Sequence, residues 1–160
     1  FARPGEVRHA EWSEFDFMRS VWRVPPEKMK MRREHVVPLS KQVLTVLSDQ
    51  RSLLESCGMM GRYVFPSERG IERSMSENTV RLAIRALGFG ADEMTAHGFR
   101  GMASTLLNES GLWRVDAIEL QLAHVDENSV RAAYNDALLI PERTRLMQWY
   151  ADELDRLGQN

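Results

Sequence analysis

The chain has 160 residues, 43% of them apolar and 28% charged, which is the make-up of one ordinary globular domain. Its net charge of −2 speaks against a uniformly basic nucleic-acid coat and leaves any contact with DNA to a local basic cluster. Cys57 is the only cysteine, which excludes an internal disulfide and a zinc site of several thiolates, and no apolar run approaches the roughly 20 residues that span a bilayer.

Arg3 to Glu11 reads as a short helix, with Pro4 in the first turn, where a missing N–H is tolerated. From Trp12 to Ser40 short aromatic and β-branched runs take over: Phe15 with Phe17, Val21 with Trp22 and Val24, and Val36 with Val37. Pro25-Pro26 and Pro38 punctuate them. The stretch predicts a sheet of three antiparallel strands, with a charged connection from Pro25 to Glu34. Ser40 is placed to cap a helix whose apolar residues Val43, Leu44, Val46, Leu47 and Leu54 lead to Gly58. From Gly58 to Glu77 the glycines and Pro66 predict an irregular loop. Asn78 is placed to cap a helix that reaches Leu87 and stops at Gly88. Thr95 is placed to cap the next, whose predicted core stripe is Phe99, Met102, Ala103, Leu106 and Leu107. Three more helices are predicted, from Val115 to Ala123, Ser129 to Asn135 and Pro141 to Leu157. The fold class is α+β: mainly helical, with a small three-stranded antiparallel sheet near the N-terminus.

Few residues stand out for chemistry taken singly. His97 and Arg100 lie three apart at the start of the strongest helix, off its predicted apolar stripe, where free N–H groups also suit a phosphate. The plainer reading is a solvated, capped helix start. His124 ends an apolar helix and reads equally well as a C-terminal cap. Tyr134, ten residues on, reads alone as a core aromatic; Arg3 and Glu6 read as a first-turn charge pair and Lys30 as a solvated loop lysine.

Order and spacing together say more. Arg3 in "RPGEVRHAEW", Lys30 in "MKMRREHVVPLS", His97 and Arg100 in "TAHGFRGMASTLLNESG", then His124 and Tyr134 in "LAHVDENSVRAAYND" follow one another along nearly the whole chain. In this arrangement the sequence resembles the tyrosine recombinases, specifically their prophage-integrase branch. The resemblance implies a catalytic set of Arg3, Lys30, His97, Arg100, His124 and Tyr134. Tyr134 would attack a DNA phosphate, with His97 taking its proton. Lys30 would protonate the leaving 5′ oxygen, and Arg3, Arg100 and His124 would hold the phosphate. Neither metal, ATP nor any other cofactor is implied, because a phosphotyrosyl link conserves the bond energy.

Lys28, Arg32 and Arg33, which flank Lys30, and Arg81 and Arg85, one helical turn apart, are further candidates for contacts with DNA, against a plain reading as solvated surface. Trp113, Trp149 and Tyr150 read as packing residues, although the last helix could also offer an apolar face to a neighbouring protomer. The family's chains carry a preceding helical domain that grips DNA. A chain starting at Phe1 therefore reads as a catalytic-domain fragment over residues 1–160, monomeric alone. The full protein would form a homotetramer on double-stranded DNA bearing its attachment site, in the bacterial cytoplasm with the nucleoid, without membrane contact. The competing expectations are a catalytically silent DNA-binding relative, a helical interaction domain and a topoisomerase-like DNA relaxer.

Overall fold

A computed structural model of the chain describes residues 1–124 and 129–159, with the backbone alone for 129–138. Helix α1 (Pro4–Arg8) leads through a short 3-10 turn at Trp12–Glu14 into strands β1 (Phe15–Asp16), β2 (Val21–Val24) and β3 (His35–Pro38). These form the expected antiparallel sheet in the order β1-β2-β3, with Trp22 opposite Val37 and Val24 opposite His35. One face of the sheet supplies Trp22, Val24 and Val37 to the core. Phe15 stacks on Trp22 at 5.4 Å between ring centroids, and the Trp22 indole N–H donates to Glu14 at 2.8 Å.

Helix α2 (Lys41–Ser56) begins as its sequence predicts, the Ser40 hydroxyl accepting from the Val43 N–H at 3.4 Å. The following segment departs from expectation. Instead of irregular loop throughout, it contains a two-stranded hairpin, β4 (Pro66–Ser67) with β5 (Gly70–Ser74). These strands are short, carry no buried apolar alternation and include a proline, so period-2 patterning had nothing to register. Long-range bonds hold the segment: the Val64 N–H donates to the Ala10 carbonyl at 2.9 Å and the Trp12 N–H to that of Arg62 at 3.0 Å.

Helices α3 (Asn78–Ala86), α4 (Gly98–Ser110), α5 (Val115–Gln121) and α6 (Ser129–Gly158) complete the fold. Asn78 is the first residue of α3, and the cap position belongs to Glu77. The stripe of α4 is rotated from the predicted one. Phe99 is 44% exposed, whereas Arg100, Ala103 and Leu107 are buried. Arg100 takes the inner place because carbonyl oxygens wait there for its guanidinium, a partner that hydrophobic periodicity cannot register. Helix α6 runs as one element through Pro141, where two helices were expected. Proline inside a helix costs about 3 kcal/mol. Burial of Leu139, Leu146, Met147 and Tyr150 against the core offsets that. Tyr150 meets Phe1 edge-on at 4.9 Å and Trp149 meets Trp113 at 6.1 Å, so the apolar face of α6 folds back on its own domain. Among the described residues no helix is long and apolar enough to cross a membrane.

Candidate active site

The site is built around the C-terminal end of α5. The last carbonyls of a helix have no partners within it and carry the negative end of its dipole. Here arginines take them. Arg100, in the first turn of α4 and 5% exposed, donates from Nη2 to the Leu122 carbonyl at 2.7 Å and from Nη1 to the carbonyl of Phe1. Arg3 donates to the next carbonyl along, that of Ala123, at 3.4 Å. The backbone can aim that carbonyl because Ala123 leaves the helix in a left-handed conformation, at φ 51°.

Arg3 is fixed from its other side by Glu6, one turn into α1. One carboxylate oxygen accepts from the guanidinium at 2.8 Å and the other from the Arg3 backbone N–H at 2.7 Å, so Glu6 holds Arg3 by two bonds that both run from arginine to carboxylate. Glu6 is buried, so it acts as an internal counter-charge. Burial first, and then the nearby Arg3, push the Arg100 guanidinium down from its ordinary value, though an arginine keeps its charge. Two guanidiniums sharing one buried carboxylate leave a net positive site suited to an oxyanion.

His124 stands beside this pair. Its Nδ1 lies 2.8 Å from Glu119 Oε2, and its Nε2 lies 3.4 Å from Arg100 Nη2. A neutral ring with the proton on Nδ1 satisfies both neighbours, since a carboxylate can only accept and a guanidinium can only donate. Glu119 was not singled out from the sequence. Its position five residues before His124, reaching around the helix end, is the signal that would have found it.

His97 is exposed at the entry to α4, where the Thr95 hydroxyl caps the Gly98 N–H at 3.0 Å and the His97 carbonyl accepts from Arg100. Lys30 is exposed and lines an open groove of about 630 Å³ together with Arg3, Glu6, His9 and Arg32. The structure thus brings Arg3, Arg100 and His124 into one cluster and sets Lys30 and Arg32 along the groove that reaches Arg3. Tyr134 lies outside the described residues as far as its side chain is concerned; its backbone belongs to α6.

The flanking basic residues divide. Arg81 is exposed on α3 and Arg32 is exposed with φ 52°, while Arg33 is half-buried and has a partner of its own. Lys28 is tied into the fold instead. Its ammonium donates to the His9 carbonyl at 2.7 Å, to Glu11 at 2.8 Å and to Glu14. Burial opposes its charge, but the bonds to Glu11 and Glu14 outweigh that and raise its pKa. Arg85 is likewise occupied, donating to the Met94 carbonyl at 2.9 Å and to those of Phe89 and Gly90, so it staples the loop between α3 and α4.

Behind the cluster lies a second buried polar group. His35 on β3 is 7% exposed, and burial first, then the charge of Arg143, push its imidazole down to about 4, against a bond to the Gln121 backbone that favours protonation. It is therefore neutral at ordinary pH.

Residues 2–138 match the model of the phage integrase family, and the chain belongs to that family of tyrosine recombinases. It is 43% identical over 169 residues to the integrase of Enterobacteria phage P4, covering 97% of this chain and 38% of that protein. To the prophage integrase IntA of Escherichia coli (strain K12) it is 43% identical over 150 residues, covering 94% of this chain and 35% of that one. The chain thus spans less than half the length of these relatives. The solved XerA recombinase matches with a TM-score of 0.61 at 20% identity, over 99% of this chain and 53% of that one, a likeness of fold.

Proposed function

We propose that residues 1–160 are the catalytic domain of an integrase that breaks and rejoins double-stranded DNA at an attachment site through a 3′-phosphotyrosyl intermediate. The observation that carries this reading is the anchoring of Arg3 and Arg100 on adjacent carbonyls at the end of α5, with His124 beside them. Attack on a phosphodiester adds negative charge to the non-bridging oxygens. Donors fixed in advance stabilise that charge without reorganising, each typically contributing about 10²–10³ in rate.

In this reading the Tyr134 oxygen attacks phosphorus as the bond to the 5′ oxygen breaks. A free tyrosine ionises near a pKa of about 10, so its proton has to be taken up, and His97 is the acceptor. The departing 5′ oxygen receives a proton from Lys30 and leaves as a hydroxyl. Rejoining reverses these steps with the 5′ hydroxyl of another strand. The bond energy is kept in the phosphotyrosyl ester, and neither metal nor nucleotide enters the balance. Arg32 and Arg81 are assigned to phosphate contacts along the duplex. Lys28, Arg33 and Arg85 would first have to leave their partners. The full protein acts as a homotetramer on two duplexes in the bacterial cytoplasm, and the isolated domain is monomeric.

The test is covalent trapping. The full-length protein is incubated with a nicked suicide duplex carrying its attachment site and run on a denaturing gel beside Tyr134→Phe. A DNA-linked band lost in the variant is the expected result. No band from either protein on a verified site would overturn the enzymatic reading in favour of a silent DNA-binding relative. Relaxation of supercoiled plasmid without sequence preference would favour a topoisomerase.

A further inference from the structure

Arg143 has no exposed surface at all, at 0%. A guanidinium withdrawn so far from water has to have its donors met, and burying one rarely adds stability over an apolar residue of the same volume. Packing alone therefore gives no reason for an arginine here. What it supplies is directed bonding between elements. From α6, its Nε donates to Gln121 Oε1 on α5 at 2.9 Å and its Nη2 to the Val36 carbonyl on β3 at 2.5 Å. The His35 ring, next to Val36, bonds in turn to the backbone of Gln121.

Gln121 is the last residue of α5, and the two residues after it carry the carbonyls that hold Arg100 and Arg3. Its amide is oriented by the arginine, since a guanidinium can meet only the oxygen. The consequence is visible: among the described residues the buried Gln121 Nε2 has no hydrogen-bond partner. Arg143 also stands nine residues after Tyr134 on α6.

We propose that Arg143 is a positioning residue for DNA cleavage, coupling the helix that carries Tyr134 to the α5 terminus on which Arg3 and Arg100 are anchored. The inference rests on the strand-cleavage reading above. Arg143 acts without touching DNA, so its loss slows the chemical step and spares binding. A displacement of about 1 Å between nucleophile and phosphate is enough for a loss on the order of 100-fold.

The experiment uses the full-length protein and the nicked suicide duplex. It compares wild type with Arg143→Met, Arg143→Lys and Gln121→Met. The rate of Tyr134-linked product at saturating DNA, the DNA affinity and the thermal midpoint are measured for each. Arg143→Met is expected to cleave about 10- to 100-fold more slowly with affinity within about threefold. Arg143→Lys, which keeps the charge and can reach one of the two acceptors, should recover part of that loss. Gln121→Met removes the acceptor and the orphaned donor together at nearly constant volume. It should slow cleavage by about 10-fold and lower the thermal midpoint, because the buried Nε of Arg143 loses its acceptor, and read on protein still folded at the assay temperature it decides the matter if Arg143→Met fails to fold. Wild-type cleavage by a folded Gln121→Met, or affinity falling in step with rate, overturns the inference while the cleavage reading stands. A wild type that yields no Tyr134-dependent product overturns both.

Discussion

Replacing His35 with glutamine should flatten the acid limb of the chain's stability. In the unfolded chain this imidazole titrates at its ordinary 6.5; in the fold, burial and then Arg143 hold it at about 4. The unfolded state therefore takes up a proton that the native state refuses. Stability is full above the unfolded value, declines as the pH falls from 6.5 towards about 4, and levels off below. At about 1.36 kcal/mol per pH unit the gap corresponds to about 3 kcal/mol, of which about 2 kcal/mol is already lost at pH 5. Urea unfolding at pH 7.5 and pH 5.0, on wild type and His35→Gln, measures it. Whatever the substitution costs at neutral pH drops out, because only the change between the two pH values is compared. Glu11, held low by Arg62 and Lys28, and Glu142, held low by Arg114, also lose their partners' help in acid, but equally in both proteins. The wild type should lose about 2 kcal/mol more than the variant between the two conditions. Equal losses would mean that His35 is protonated in the fold, and the account of a neutral ring behind the arginine pair would be wrong.

Arg100→Lys should slow single-turnover cleavage by about 10²–10³, because one ammonium cannot meet the Leu122 and Phe1 carbonyls and still present a fork to a phosphate. A wild-type rate would remove Arg100 from the site. Lys28→Met should leave Glu11 and Glu14 without their shared cation and lower stability by about 1–3 kcal/mol, with the salt dependence of DNA binding unchanged. Lys30→Met should do the reverse, slowing cleavage while unfolding within about 0.5 kcal/mol of wild type. Urea titrations beside salt-dependent binding separate the two lysines, and a matching pattern in both would refute the division.

Much of the architecture follows from local rules and was legible in the chain itself. Ser40 caps α2 because a serine oxygen satisfies a free N–H wherever a helix starts. The aromatic and β-branched runs around Trp22 and Val37 make a sheet because such residues fit a half-buried pleat. The order Arg3, Lys30, His97, Arg100, His124 and Tyr134 can likewise be read off as residue types and spacings.

What the sequence could not decide is which polar groups meet. Arg100 and Phe99 are adjacent, and apolar patterning puts the phenylalanine inside; a carbonyl brought from α5 by the fold reverses them. Lys28 and Lys30 look alike as loop lysines, and only the approach of Glu11 and Glu14 sorts them. Proline should end a helix by its local chemistry, yet α6 continues through Pro141 because its inner face is buried on the core. His35, Gln121 and Arg143 carry no motif at all. Local propensity acts over one turn or one strand pair and is written in neighbouring residues. Satisfying a buried charge needs donors and acceptors from three separate elements, and those meet only when the chain has folded.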